Sequence, residues 1–180
     1  SSSALRCPGE ELPGVVGGID FLQDVALGNT PLIGKHIAVV GGGNTAMDAC
    51  RTAVRLGAEK VYNIYRRTRN EMPAEEVEIA EAEEEGVIFK YLTNPIEVTG
   101  EGKVQQIRLQ IMELGEPDAS GRRAPVPVEG AEEILEVDTV IAAIGQKLDP
   151  VGLEGVELTK WRTIAADEAT FRTSTEGVFA

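Results

Sequence analysis

One short stretch limits what this 180-residue chain can fold into more than any other. His36 to Val40 is patterned as a short buried strand, Gly41-Gly42-Gly43 follows at once, and Asn44 to Leu56 is patterned as a helix. Ala46, Met47, Cys50, Ala53 and Val54 recur at helical spacing, and Gly57 sits where a helix stops. A strand, a glycine turn and a helix in that order open a parallel α/β sheet. Gly41-x-Gly43-x-x-Ala46 also has the residue types that binding a dinucleotide requires. Gly41 makes the tight turn, Gly43 lets backbone approach a pyrophosphate, and Ala46 keeps the helix close to the sheet. The helix's first amides and its dipole then face the phosphates.

The neighbouring segments extend the pattern. Val61 to Tyr65 predicts a second strand and Val87 to Tyr91 a third. Between them a helix is expected from Pro73 to Glu85, with Pro73 in its first turn and Gly86 as its stop. The order β-α-β-α-β implies a doubly wound parallel sheet with right-handed crossovers. Upstream, residues 5–17 read as a Gly- and Pro-rich connector. Residues 18–27 read as a short helix with Ile19, Phe21, Leu22 and Val25 on one face, broken by Asn29-Thr30-Pro31. Downstream the pattern changes to strands at Ile96–Thr99, Val104–Glu113 and Ile134–Val137, with Gly100-Glu101-Gly102 as a hairpin signal. Gly115 to Gly130 reads as a long polar loop, and Thr139 to Ile144 as a strand buried on both faces. Short strands are expected around Leu158, Thr163–Ala165 and Val178–Ala180.

The residues after the second strand sharpen the chemistry. An NAD-specific site carries an acid there, about 20 residues after the glycines, to hold the ribose hydroxyls. This chain has Tyr65-Arg66-Arg67-Thr68-Arg69, with Arg66 23 residues after Gly43. Guanidinium groups bind a 2′-phosphate by two-point hydrogen bonding, whereas a carboxylate repels it. These residues therefore point to NADP(H). The charge context agrees. The chain carries a formal net charge of −13, yet between Arg51 and Arg69 six bases face one acid. The acidic total excludes a generic nucleic-acid binder.

Eight glutamates and no base lie between Glu71 and Glu85, which reads as a solvated helix face. Ala142-Ala143-Ile144-Gly145 closes the last buried strand. Small residues there leave room for a cofactor, although a strand simply stopping at Gly145 accounts for the segment as well. His36, the only histidine, is expected as a polar residue at a strand entrance. Cys7 and Cys50 form no Cys-x-x-Cys, so neither a redox dithiol nor a zinc site is expected. No apolar run nears the ~20 residues of a membrane span, and residues 1–30 lack the pattern of a signal peptide, so a cytoplasmic location is expected. Ser1-Ser2-Ser3-Ala4 reads as a cut end rather than a natural start.

With those residues in hand, Gly34 to Glu97 resembles the NADPH-binding domain of the glutamate synthase small (beta) subunit family. These are FAD-dependent NADPH oxidoreductases, including the NADPH-side domains of dihydropyrimidine dehydrogenase and related iron–sulfur flavoenzymes. The resemblance is carried by Val39 through Asp48, by Tyr65 through Arg69 with Glu71-Met72-Pro73-Ala74, and by Glu84-Glu85-Gly86-Val87. Leu114 through Arg123 with Pro125-Val126-Pro127-Val128, Ala143-Ile144-Gly145-Gln146 and the lead-in from Pro8 to Leu22 extend it. It implies a Rossmann-like parallel sheet with an antiparallel three-stranded crossover, the α/β architecture of glutathione-reductase-type NAD(P)H domains. Gly41, Gly43, Asn44, Thr45 and Ala46 would face the pyrophosphate, and Arg66 and Arg67 the 2′-phosphate, with Arg69 as a weaker candidate.

The resemblance further implies that NADPH delivers hydride to FAD in a longer parent chain, with electrons passing on for glutamate synthesis or a related reduction. The family's FAD fingerprint should precede this segment and is absent. The closing Thr173-Ser174-Thr175-x-Gly177-Val178-Phe179-Ala180 is cut before the family's flavin-contacting Gly-Asp. Residues 1–33 and 148–180 are accordingly expected as linkers to a flavin domain, with the NADPH domain at 34–147. Iron–sulfur clusters would belong to the parent, since no cysteine cluster occurs here. Expected partners are that flavin domain and a glutamate synthase large subunit or other electron acceptor, with no nucleic acid or membrane. A non-catalytic nucleotide-sensing or assembly domain would use the same pocket. An FAD- or NAD-binding variant is disfavoured by the arginines.

Overall fold

The apolar run ahead of the glycines forms β2 (His36–Val40), whose last four residues are buried from both sides. The computed structural model describes residues 5–29, 31, 33–119 and 121–145; the strands expected beyond Gln146 lie outside them. Around β2 stand β1 (Val15–Gly17), β3 (Lys60–Tyr65), β4 (Ile88–Tyr91) and β8 (Thr139–Ala142). They form a five-stranded sheet in the order β1-β8-β2-β3-β4, with every pair parallel. A second, antiparallel sheet of β5 (Thr93–Thr99), β6 (Gln106–Pro117) and β7 (Arg123–Glu136) fills the crossover between β4 and β8. This is the α/β architecture expected: a Rossmann-like parallel sheet with an antiparallel three-stranded crossover.

The alternation of side chains along β2 divides the core in two. Ile37 and Val39 join a cluster with Phe21, Met47, Cys50 and Ile79, which covers them with α1 (Gly18–Ala26), α2 (Asn44–Arg55) and α3 (Glu76–Glu84). Ala38 and Val40 face the other way, onto Val98, Ile107 and Leu109 of the second sheet. Among the described residues, helices thus cover one face only, and the crossover sheet takes the place a second helical layer has in a doubly wound domain. No described helix is long and apolar enough to cross a membrane.

Four expectations need correction. Residues 15–17 lie in the stretch read as a connector, but they form β1, which pairs with β8. Three residues are too few for a period to show. The helix expected from Pro73 begins at Glu76, because the chain before it is drawn to the glycine turn. The Ala74 amide donates to the Gly42 carbonyl at 3.0 Å and the Glu75 amide to Asn44 Oδ1 at 2.9 Å. Residues expected as a loop from Gly115 to Gly130 belong mostly to a hairpin, with Pro117 paired to Arg123 and Leu114 to Pro125. Pro125 and Pro127 fit there because β7 is an edge strand, and alternate residues turn their nitrogens away from β6. Finally, the glutamate-rich helix is not simply solvated. Arg51 of α2 reaches Glu78, Glu81 and Glu85 at 2.8, 2.6 and 3.1 Å, and Arg55 reaches Glu85 at 2.6 Å.

Candidate functional site

Val40 pairs with Ile64 on one side and Ala142 on the other, so the chain leaves β2, β3 and β8 at one shared rim. A cleft of about 540 Å³ opens at that rim, where the strand order reverses. Its wall gathers most of the predicted site: Gly41, Gly43, Asn44, Thr45, Arg66, Arg67, Ala143, Ile144 and Gly145. Two predicted residues lie elsewhere. Ala46 is fully buried in the helix-side core, its amide donating to the Gly43 carbonyl at 3.0 Å. Arg69 is bound to Glu76 and Glu83 around α3 and is not part of the cleft wall.

The three glycines are there for different reasons. Gly41 has φ +140°, and a Cβ on it would lie 2.3 Å from the Ala143 carbonyl oxygen. A Cβ on Gly42 would lie 2.5 Å from the Tyr65 ring, which is pinned by its hydroxyl donating to the Glu71 carbonyl at 2.8 Å. Gly43 has an ordinary φ of −93°, and a Cβ there would meet nothing nearer than Pro73 at 3.9 Å. The protein itself therefore gives no reason for glycine at 43. The room a Cβ would fill opens beside the cleft, at the uncapped N-terminus of α2. That is the fit expected of a backbone meant to be approached by a phosphate.

Asn63 braces this turn from below. It is fully buried in the middle of β3, and its side-chain amide donates to the Gly41 carbonyl at 2.9 Å. Backbone bonds complete the frame, from the Gly41 amide to the Ile64 carbonyl at 3.0 Å and from the Ala143 amide to the Val40 carbonyl at 2.8 Å. Asn63 was not singled out from the sequence; the one mark it leaves there is a polar residue inside the apolar strand Val61-Tyr62-Asn63-Ile64.

The arginines also divide. Arg66 is exposed at the cleft and makes no ion pair among the described residues. Arg67 is only 4% exposed. Its Nε donates to the Arg123 carbonyl at 2.8 Å and its Nη2 lies 2.7 Å from the Asp118 carboxylate, so it ties the β6–β7 tip to the end of β3. Arg122, on that tip, lines the cleft and was not singled out from the sequence as a site residue. Among the described residues, three arginines and no carboxylate thus line this cleft, in a chain of net charge −13. Its build suits an elongated anion.

His36 stands at the start of β2, away from this rim, with its Nε2 3.8 Å from Glu59. Cys7 and Cys50 are buried, unbonded and on opposite faces of the sheet, and burial pushes the Cys50 thiol far above its usual range. They cannot act as a redox pair. No metal-holding group of side chains occurs among the described residues.

The comparisons agree with this geometry. A family model described as pyridine nucleotide-disulphide oxidoreductase matches residues 1–180. The chain is 48% identical, over its whole length, to the NADP(+)-dependent formate dehydrogenase subunit beta of Moorella thermoacetica, of which it spans 26%. It is 40% identical, over 98% of its length, to the glutamate synthase [NADPH] small chain of Azospirillum brasilense, spanning 40% of that protein. In structure it is similar to T. acidophilum thioredoxin reductase, with TM-score 0.72 at 21% identity, over 99% of this chain and 53% of that one.

Proposed function

The chain belongs to the pyridine nucleotide-disulphide oxidoreductase family, and from that premise we propose that it is the NADPH-binding domain of a glutamate synthase small-subunit-like flavoprotein oxidoreductase. The observation that carries this is the cleft, which joins the glycine turn to a wall at the strand ends that holds arginines and, among the described residues, no carboxylate. Bound NADPH would supply the hydride, and FAD in a longer parent would accept it, with iron–sulfur clusters of that parent among the onward carriers.

The work of this chain's own residues is binding and orientation. The backbone at Gly41, Gly43, Asn44 and Thr45 would hold the pyrophosphate against the start of α2, with Ala46 packing the helix onto the sheet beneath it. Arg66 would meet the 2′-phosphate, with Arg67 beside it. Ala143, Ile144 and Gly145 would leave the space for the nicotinamide end. No side chain is assigned as an acid or base, because hydride transfer needs none from this cleft. Residues 34–147 would be the domain, with β1 and α1 of the preceding segment packed onto its sheet, and the flanks 1–33 and 148–180 would run to a flavin domain. The electron-accepting subunit, a glutamate synthase large subunit or another, and the cytoplasmic location belong to the same proposal. A nucleotide-sensing or assembly domain would use the same pocket, but no observation favours it.

Titration of the chain with NADPH and NADH tests the proposal. If one or two charge-assisted bonds depend on the 2′-phosphate, NADPH should bind roughly ten-fold to several thousand-fold tighter. Arg66→Ala should remove most of that preference and leave NADH binding nearly unchanged. Equal binding of the two nucleotides to the unmutated chain would refute it.

A further inference from the structure

Resting on the NADPH-binding reading above, we infer that Asn63 is a positioning residue for the dinucleotide: it locks the Gly41–Gly42 peptide so that its amide, and not its carbonyl, meets the pyrophosphate. The Gly41 amide is held by the Ile64 carbonyl and the Gly42 carbonyl by the Ala74 amide, both at 3.0 Å. Between those anchors stands one peptide group with glycine at both ends, which rotates at little steric cost. Among the described residues, the Asn63 side-chain amide is the one donor to the Gly41 carbonyl, at 2.9 Å. That bond draws the carbonyl down toward β3. The peptide is trans, so its N–H points the opposite way from its C=O. The Gly42 amide is thereby turned away from β3, on a residue that lines the cleft, and it has no acceptor among the described residues. Rotated the other way, the same peptide would present a carbonyl oxygen to an anion.

The fold alone gives little reason for an asparagine at this position. Asn63 is fully buried and pairs with Val39 inside the parallel sheet. Its second amide contact, to the Val39 carbonyl, is long at 3.4 Å, and its Oδ1 has no hydrogen-bond partner among the described residues. A buried acceptor left unpaired destabilises a fold, and an apolar residue of the same size would bring none. Asn63 therefore weakens the sheet it sits in while it fixes the peptide at the rim. That combination is expected of a side chain kept for the site rather than for the core.

The experiment compares the unmutated 180-residue chain with Asn63→Leu, of similar size, and Asn63→Val, which is smaller and favours strands. Each is titrated with NADPH and NADH by nicotinamide fluorescence, and with 2′-AMP by calorimetry, while denaturant melts follow the fold. The last ligand has the 2′-phosphate but no pyrophosphate. Both variants should bind NADPH and NADH about ten-fold or more weakly, with the ratio between the two and the 2′-AMP affinity kept within about two-fold. The melting midpoint of Asn63→Leu should stay at or above that of the unmutated chain. A purely structural asparagine would instead lower the midpoint and weaken all three ligands together. That result, or normal NADPH binding by either variant, overturns the inference and leaves the NADPH reading standing. An unmutated chain that binds neither dinucleotide refutes the NADPH reading, and the inference with it.

Discussion

At the scale of single residues, the glycines separate folding from binding. Gly41→Ala would place a Cβ against the Ala143 carbonyl at a φ that L residues rarely adopt. It should destabilise the chain by at least ~1–3 kcal/mol. Gly43→Ala meets no such obstacle. Its stability should change by less than about 1 kcal/mol, yet NADPH affinity should fall sharply, because the new methyl occupies the approach to the backbone. Denaturant melts paired with nucleotide titrations read both effects, and a Gly43→Ala chain that binds normally would remove the pyrophosphate from this turn. The motif itself was legible because its strand, glycine turn and helix follow one another directly in the sequence. Asn63 and Arg122 were not, since the bond that gives Asn63 its place crosses to another strand and Arg122 reaches the cleft only through the hairpin's path.

Among elements, the pairing of α2 with α3 rests on charge as well as on Ile79 and Ala82. The Arg55 guanidinium, with Arg51 beside it, holds the Glu85 carboxyl below its usual range. A carboxyl whose folded value is depressed stabilises fully above its ordinary value of about 4.3 and loses that contribution as pH falls through the lower folded value. Thermal melts should therefore show stability dropping on acidification below about pH 4, and Glu85→Gln should flatten that decline. An unchanged acid limb in Glu85→Gln would mean that the clamp adds nothing. Strands β2, β3 and β8 and helix α2 were legible in sequence because each is a strong period packed on one core. The glutamate helix was legible in kind but not in partners. Its ion pairs to α2 reach back more than twenty residues, and sequence spacing within a helix does not report contacts between helices. The hairpin escaped because its prolines look like loop residues until β7 is known to be an edge.

For the whole molecule, the net charge of −13 describes the surface and misdescribes the site. Of the basic residues between Arg51 and Arg69, Arg51, Arg55 and Arg69 are held by glutamates, and Arg66 is left to the cleft. A ligand that binds only the folded chain stabilises it by about 2.7 kcal/mol at a hundred times its Kd. For a chain of this size that corresponds to a rise in Tm of roughly 5–10 °C. NADPH should produce that rise, and NADH at the same concentration a much smaller one. The general architecture was readable in the sequence because the α/β pattern repeats. What covers the second face of the sheet was readable as a change to strands and turns after residue 95, and as a three-stranded crossover through the family resemblance. The placement of β8 carries one more consequence, for a chain made from its N-terminus. Val140 pairs beside Val15 and Ala38, so the strand at the heart of the sheet is among the last of the described residues to be synthesised. Until residues 139–143 have been made, the glycine turn has no Ala143 to lean on and the rim has no far wall. A nascent chain holding every glycine and arginine of the motif is still blind to its ligand, and acquires the site only as the crossover sheet hands the chain back.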